Sequence, residues 1–270
     1  MPPRMPPRGA RGPREDFPWW LVVAGLTATW MLAAIVTDEI YGQILATVSK
    51  GIGITLFVTL VTFALACGLG LLLAVGVLSP YLLVRQAARL YIEVVRGIPI
   101  LVLLLYVAFV AAPWLVQGVN RLTAPLGLGE IQTRDLSLMW RAIIALTIAY
   151  AAFIAEVFRA GIQAVDRGQI EAAKALGLSG WQRFRLVVLP QAFRTILPPL
   201  GNDFIALVKD SSLVSVLGIA DITQLGKVYA AGSFRFFETY NVVAFLYLTM
   251  TLGLSLLLRG LERRLRQRTG

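Results

Sequence analysis

Small, acidic and basic residues come together in one short polar segment, residues 171–190, which lies between two apolar stretches and reads EAAKALGLSGWQRFRLVVLP. Its first six residues favour a helix, and Gly177 follows at the position where a helix would end. A helix of about two turns is not stable alone in water, but it can fill a groove on a partner protein. The segment therefore predicts protein docking. A second turn at Ser179 leads into an apolar and basic run that we expect Pro190 to close.

The sequence contains no set of residues suited to catalysis or to metal binding. It has no histidine, and its one cysteine, Cys67, lies in an apolar stretch. An intramolecular disulfide therefore cannot form. A metal site with histidine ligands, or with several cysteine ligands, is also excluded. The glycine-rich loop that cradles nucleotide phosphates is also missing. We therefore expect this chain to have no enzyme activity and to bind no cofactor.

The composition is typical of a membrane protein. Hydrophobic residues make up 57% of the 270 residues, charged residues make up 15%, and the mean hydropathy is +0.74. The net charge of +10 does not indicate nucleic-acid binding, because the basic residues cluster between apolar stretches, as they do in cytoplasmic loops. The expected fold is therefore an all-α integral membrane protein.

Six stretches are predicted to cross the membrane as helices. They are residues 19–36, 51–78, 98–116, 142–155, 196–218 and 241–258. The fourth stretch is short and is bounded by Arg141 and Glu156, so hydropathy alone scores it weakly. The first follows a basic segment and could be a signal peptide, but Asp38 and Glu39 follow it in place of a small-residue cleavage site, which favours an uncleaved anchor.

The two ends of the chain and two internal loops carry most of the 25 lysine and arginine residues. Residues 1–18 hold six prolines and four arginines and predict a disordered tail, and residues 259–270 form a basic tail. The internal loops are residues 79–97 and 159–195. Because basic residues concentrate on the cytoplasmic side, both termini and the docking segment are expected there.

A few polar residues fall within or at the edges of the predicted spans, where such groups are costly and face a helix bundle or a wet cavity. Glu156 could pair with Arg159, three residues further along. Asp203 could cap a helix that begins near Pro199. The remaining ones are Lys209, Asp210 and Ser211, which would lie near the middle of their span.

The docking segment resembles the EAA loop of permeases from binding-protein-dependent ABC transporters. The matching residues are Glu171, Ala172, Ala173, Gly177, Leu189 and Pro190, with Val187 where the usual pattern has isoleucine. Residues 95–99, 149–162 and 202–213 are similar to elements of the amino-acid branch of these permeases. The resemblance covers most of residues 51–258 and none of the first fifty.

This resemblance implies a permease core of five helices within residues 51–258, preceded by an added helix at residues 19–36. It implies that the EAA loop, residues 159–195, inserts into a separate ATP-binding subunit, which would hold ATP and magnesium. Further implied partners are a second ATP-binding subunit, a second permease subunit, identical or different, and a periplasmic or tethered solute-binding protein. The location would be the bacterial inner membrane, in contact with lipid.

The implied substrate is a polar amino acid, with cystine, an opine or ectoine as alternatives within the same class. Glu156, Asp203, Lys209, Asp210 and Ser211 are the candidate pathway residues. We expect Asp210, which shares a helix face with Asp203, to face the pathway, and Lys209 to have a structural role. A secondary transporter is the alternative from another class, but it would lack the EAA loop and would usually show an internal repeat of spans.

Overall fold

The computed structural model describes residues 19–126 and 130–267, and within them the chain forms helices and turns without a strand. The all-α prediction is therefore confirmed for this part of the chain. The predicted tail at residues 1–18 and the last three residues of the basic tail lie outside the described residues. The α-helices are α1 (Trp19–Thr37), α2 (Glu39–Val48), α3 (Ile52–Val77), α4 (Leu82–Gly97), α5 (Ile100–Tyr106), α6 (Ala112–Thr123), α7 (Leu138–Gln163), α8 (Arg167–Ala175), α9 (Gly180–Arg183), α10 (Leu189–Asp210), α11 (Ile222–Ser233) and α12 (Phe236–Gln267).

Helix α7 is longer than the predicted span 142–155, because Arg141 and Glu156, the two charged residues at the limits of that span, lie inside the helix. Arg141 is 8% exposed. Its guanidinium donates to the carbonyl oxygens of Leu136 at 2.8 Å and Ala108 at 3.0 Å, and also to that of Thr133. Since these oxygens satisfy the charge, the helix continues through a position that hydropathy treats as its end.

The centre of the fold is the contact between α3 and α7, the most extensive between any two helices of the described chain. Alanine recurs along the buried face of α7, and Gly70 of α3 lies against it. A Cβ atom at Gly70 would come within 2.9 Å of Ile154 and 3.1 Å of the Ala151 carbonyl oxygen. Small residues thus bring the two backbones together, as is common between helices in membranes.

Two short π-helical segments each precede a proline. One is Val107–Ala111, before Pro113, and the other is Phe184–Val188, before Pro190. A proline ring clashes with the carbonyl four residues earlier and cannot donate to it. The wider π-turn shifts that carbonyl, so the helix continues where a proline would otherwise end it.

Helix α10 contradicts two expectations about where prolines end or begin a helix. Gly180 begins a helical stretch that runs through the π segment and Pro190 into α10, so Pro190 does not close the docking segment. Pro198 and Pro199 lie inside α10 and do not begin it. The α-helix ends at Asp210, and a 3₁₀ segment, Ser211–Leu217, completes the predicted span 196–218.

Four helical stretches among the described residues are long and apolar enough to cross a membrane: residues 39–77, 100–123, 138–163 and 236–260. They overlap four of the six predicted spans. Of the other two, α1 contributes a shorter apolar stretch, Val22–Thr37, and α10 is more polar.

Residues 219–239, which lie between the last two predicted spans, contain helix α11. Asp221 caps this helix by accepting hydrogen bonds from the backbone N–H groups of Thr223 and Gln224. The backbone at Asp221 packs closely on Gly51. A Cβ atom added at Gly51 would lie 2.4 Å from the carbonyl carbon of Asp221. This region is therefore a packed part of the fold.

The close approach of α3 and α7 predicts that Gly70→Val lowers the thermal stability of the purified protein. Overpacking of this kind costs about 1–3 kcal/mol. Gly68→Val is the matched control. Gly68 lies on the same helix, and a Cβ atom added there would have no neighbour within 4 Å. Melting followed by thermal-shift fluorescence in detergent should show a lower Tm for Gly70→Val only. Equal Tm values for the two variants would contradict the tight α3–α7 contact.

Candidate functional site

The docking segment begins within a short helix, α8, which ends before Gly177 as predicted but starts at Arg167, four residues ahead of Glu171. Asp166 caps the start of α8, accepting a hydrogen bond from the backbone N–H of Gln169 at 3.2 Å. At the other end Gly177 has a φ of +76°, a left-handed conformation that favours glycine. Its N–H donates to the Lys174 carbonyl oxygen, and the Leu178 N–H donates to that of Ala173. These two bonds form a Schellman motif, so the direction in which the chain leaves α8 depends on Gly177.

The loop is more helical than the predicted boundaries, residues 159–195, suggest. Helix α7 continues to Gln163, and the next helical stretch begins at Gly180, where Ser179 and Gln182 form a capping box. Only short connections therefore separate α8 from the helices on either side. The loop is a compact helical unit.

Apolar contacts fix α8 to the helices around it. Val165, Val188, Ala192 and Ile196 form a buried cluster, against which Ile170 of α8 packs. A hydrogen bond of 2.5 Å from Gln191 to Gln169 adds a polar connection between α10 and α8. A displacement of α8 would therefore act directly on α10.

The residues that match the EAA pattern divide into exposed and buried ones. Glu171 and Ala172 are exposed, whereas Ala173 is 4% exposed and faces the rest of the chain. Leu189 and Pro190 are exposed at the start of α10. Three large apolar side chains also face outward nearby, at 81%, 68% and 61% exposure: Leu176, Trp181 and Leu186. An exposed apolar patch beside a capped helix is the kind of surface that a partner protein covers.

Trp181 was not among the candidate site residues, although its sequence position could have singled it out. Its ring stacks on that of Phe184 with 5.9 Å between the ring centroids, which holds it in place while leaving it 68% exposed. An aromatic residue directly after a helix cap in a predicted loop is the signal that would have identified it.

The charged candidates at the end of α7 form the predicted local ion pair. The guanidinium of Arg159 donates to Oε2 of Glu156 through both Nε and Nη2, at 3.0 and 2.5 Å. Arg159 also donates to Gln163 at 2.7 Å. Glu156 is therefore neutralised within its own helix.

The candidates on α10 do not have the positions that the sequence suggested. Asp203 lies in the interior of the helix, so it does not cap the helix start, and its Oδ2 atom is buried without a hydrogen-bond partner. Lys209 and Asp210 lie at the end of the α-helix, about 30 Å from Leu189 at ~1.5 Å per residue. The expectation that they lie near the middle of their span assumed a helix that begins near Pro199, whereas the helix begins at Leu189.

Asp210 is held from the neighbouring helix α7, since the Tyr150 hydroxyl donates to its Oδ2 atom at 2.7 Å. No sequence signal pointed to Tyr150, which is sixty residues away. Ser211 is buried, and its hydroxyl donates to the Val208 carbonyl oxygen at 2.7 Å. Lys209 is exposed, and no ion pair involves it within the part of the chain that the structure describes.

Among the described residues, no group of histidine, cysteine, aspartate and glutamate could hold a metal ion. The site thus consists of two parts. One is an exposed helical loop, α8, fixed by apolar contacts. The other is a set of polar groups around Asp203 and Asp210.

Comparison with known proteins identifies the family of this chain. Residues 66–269 match the family described as "Binding-protein-dependent transport system inner membrane component". The probable amino-acid permease protein YxeN of Bacillus subtilis is 36% identical over 217 residues, which are 80% of this chain and 90% of that protein. The glutamine transport system permease protein GlnP of Escherichia coli is 35% identical over 217 residues, 80% of this chain and 92% of GlnP.

One solved structure is also similar in sequence. The "crystal structure of an amino acid ABC transporter with histidines" contains a chain that is 37% identical, with a TM-score of 0.67, over 81% of this chain and 94% of that one. The family match covers more than half of the sequence, and both relatives are matched over most of their length. The chain therefore belongs to the family of inner membrane components of binding-protein-dependent transport systems.

Proposed function

We propose that this inner membrane transport component is the permease subunit of an ATP-driven importer of polar amino acids. The observation that carries the proposal is the geometry of α8, a capped helix that exposes Glu171 and Ala172 while Ala173 anchors it. The family match leaves no support for a secondary transporter. The names of the relatives favour amino acids as substrates, and cystine, an opine or ectoine are alternatives of the same class.

The proposed topology has six spans with both termini in the cytoplasm. Its support is the distribution of lysine and arginine, which concentrates in the pieces assigned to the cytoplasm. The four long apolar helices supply four of the spans, and α1 and α10 would supply the others. This arrangement puts α8 on the cytoplasmic side.

ATP and magnesium would bind a partner and not this chain. We propose that α8 enters a cleft on an ATP-binding subunit, with Glu171, Ala172, Ala173, Gly177, Leu189 and Pro190 as the coupling residues. Closure of that subunit on ATP would move α8 as a rigid body. The contacts of α8 with the π segment Phe184–Val188 and with α10 support this proposal, because they give the movement a route into the spans.

The complete transporter would contain two ATP-binding subunits, a second permease subunit and a solute-binding protein. The second permease subunit would be a copy of this chain or a related one. The exposed Lys209 favours assembly with such a subunit, since a cation within a span needs a partner. Nucleic acid is not a proposed partner.

The substrate pathway is proposed to pass Asp203 and Asp210. Both are partly buried, and they lie seven residues apart on one face of α10. The Asp203 Oδ2 atom lacks a partner, so a substrate ammonium group would supply the interaction that the protein does not. Glu156 is a weaker candidate because Arg159 neutralises it, and the Ser211 hydroxyl is engaged by its own helix.

Reconstitution tests the function. Proteoliposomes that contain this chain, its ATP-binding partner and the solute-binding protein should accumulate a radiolabelled polar amino acid when ATP is supplied on the α8 side. The purified chain alone should show no ATPase activity. ATPase activity in a verified single-subunit preparation would overturn the proposal.

Gly177→Val tests whether α8 is the coupling element. A left-handed conformation costs an L-residue about 1–2 kcal/mol, so α8 should lose its fixed direction. We expect normal membrane insertion with transport reduced severalfold. Gly180→Val is the control, because Gly180 lies in an ordinary helical turn and a Cβ atom there is 3.8 Å from the flexible end of Arg183. Full transport by Gly177→Val would show that coupling does not depend on this turn.

Asp210→Asn removes the charge but keeps an oxygen that can accept from Tyr150, so the complex should assemble while transport falls. Lys209→Met should mainly reduce assembly, which size-exclusion chromatography measures. If Asp210→Asn transports normally while Lys209→Met assembles but fails to transport, the two roles are reversed. Normal transport by both variants would place the pathway elsewhere.

A further inference from the structure

A polar cavity of about 330 Å³ lies between α4 and the last turns of α7, beside the end of α3. Its charged lining comes from Arg89, Glu93 and Arg96 on α4 and from Glu156 and Arg159 on α7. Asp203 and Asp210 do not line it. The cavity is therefore separate from the two aspartates of the proposed pathway, although Glu156, the weaker pathway candidate, lines it.

The two charged residues on the α7 side neutralise each other. Glu156 and Arg159 share two hydrogen bonds, at 3.0 and 2.5 Å. Because both charges are satisfied by this contact, they contribute little net field to the cavity.

The three charged residues on the α4 side are not paired. Arg89 and Glu93 are four residues apart, and Glu93 and Arg96 are three apart, spacings at which side chains on a helix can form ion pairs. Within residues 19–126 and 130–267, however, ion pairs occur only at Glu156–Arg159 and Arg235–Glu238. Arg96 instead lies over the ring of Phe153, 5.6 Å from its centroid. Two cations and one anion thus border the same cavity without an ionic partner.

From this arrangement we propose that the cavity binds the zwitterionic head group of an α-amino acid. The carboxylate would pair with Arg89 and Arg96, and the ammonium group would pair with Glu93. A simple anion such as phosphate fits less well, because Glu93, which lies between Arg89 and Arg96 in the sequence of α4 and lines the same cavity, would repel it. The assignment rests on the proposed function, since the proposed topology places this cavity on the cytoplasmic side, where the imported amino acid is released.

An occupied cavity would connect α4 to the helix that leads into the coupling loop. Helix α7 ends at Gln163, which lines the cavity, and α8 begins at Arg167. An amino acid bound to α4 across this cavity would restrict the last turn of α7. The site is thus placed to report the cytoplasmic amino acid concentration to α8.

Protection from labelling tests the site in the complete transporter. The Leu78→Cys variant, in a Cys67→Ala background, puts a thiol on the cavity wall, and Leu78 is exposed enough to react. The complex is reconstituted in phosphatidylcholine vesicles with α8 outward and treated with an impermeant maleimide. The probes are L-glutamine, n-butyrate, n-butylamine and inorganic phosphate at equal concentrations.

L-glutamine should slow labelling about threefold at about twice its Kd, because only the unoccupied site reacts. Butyrate and butylamine, which each carry one of the two charges, should not slow it. Glu93→Gln should raise the half-protecting glutamine concentration about tenfold. Arg85→Gln is the control and should not change it, since Arg85 donates to the carbonyl oxygens of Ser79 and Pro80 and does not line the cavity.

Absence of protection by glutamine, or equal protection by phosphate, would overturn the proposal. So would protection that Glu93→Gln leaves unchanged. ATP-driven uptake in the same vesicles reports separately on the proposed function. Uptake without protection removes only this site, whereas protection without uptake supports the site and contradicts the importer.

Discussion

A polar group within hydrocarbon has no water as a partner, so each one must be satisfied inside the protein. Two contacts within the apolar helices follow this constraint. Arg141 donates to backbone carbonyls, and Asp210 accepts from a tyrosine hydroxyl. Asp203 is an exception with a carboxylate, because one of its oxygens is buried without a partner; among the described residues the same holds for single oxygens of Thr62, Thr147 and Gln224. A group that costs free energy in the empty protein is the position where a ligand gains most by binding.

The backbone obeys the same constraint at its prolines. The π segments before Pro113 and Pro190 shift the carbonyls with which the rings would clash. Pro198 and Pro199 interrupt the hydrogen bonds of α10 deeper in the fold. Pro199 lines a cavity of about 500 Å³ beside α7, and freed carbonyls are tolerated in membranes where they line a cavity. Irregular backbone therefore occurs where the surrounding protein accommodates it.

Local signals in the sequence predicted the local structure well. Gly177 marked the end of α8, and the spacing of Glu156 and Arg159 predicted their ion pair, because both depend on neighbours within one turn. The limits of the spans were predicted poorly. A proline or an arginine in the sequence indicates the end of a span, unless the distant groups that accommodate it are known. Arg141 is satisfied partly by Ala108, thirty-three residues away. Helix α11 was missed, although its cap at Asp221 was visible in the sequence.

The correction at Pro190 changes how the two parts of the site are related. A loop closed by this proline would leave the span flexible with respect to α8. Instead, the helical stretch that begins at Gly180 continues to Asp210, about 45 Å at ~1.5 Å per residue. One end contacts α8, and the other carries the carboxylate that accepts from Tyr150. A tilt of this helix driven from the loop would therefore change the surroundings of Asp210 without any intermediate element, which is the simplest physical route from the proposed ATPase contact to the proposed pathway.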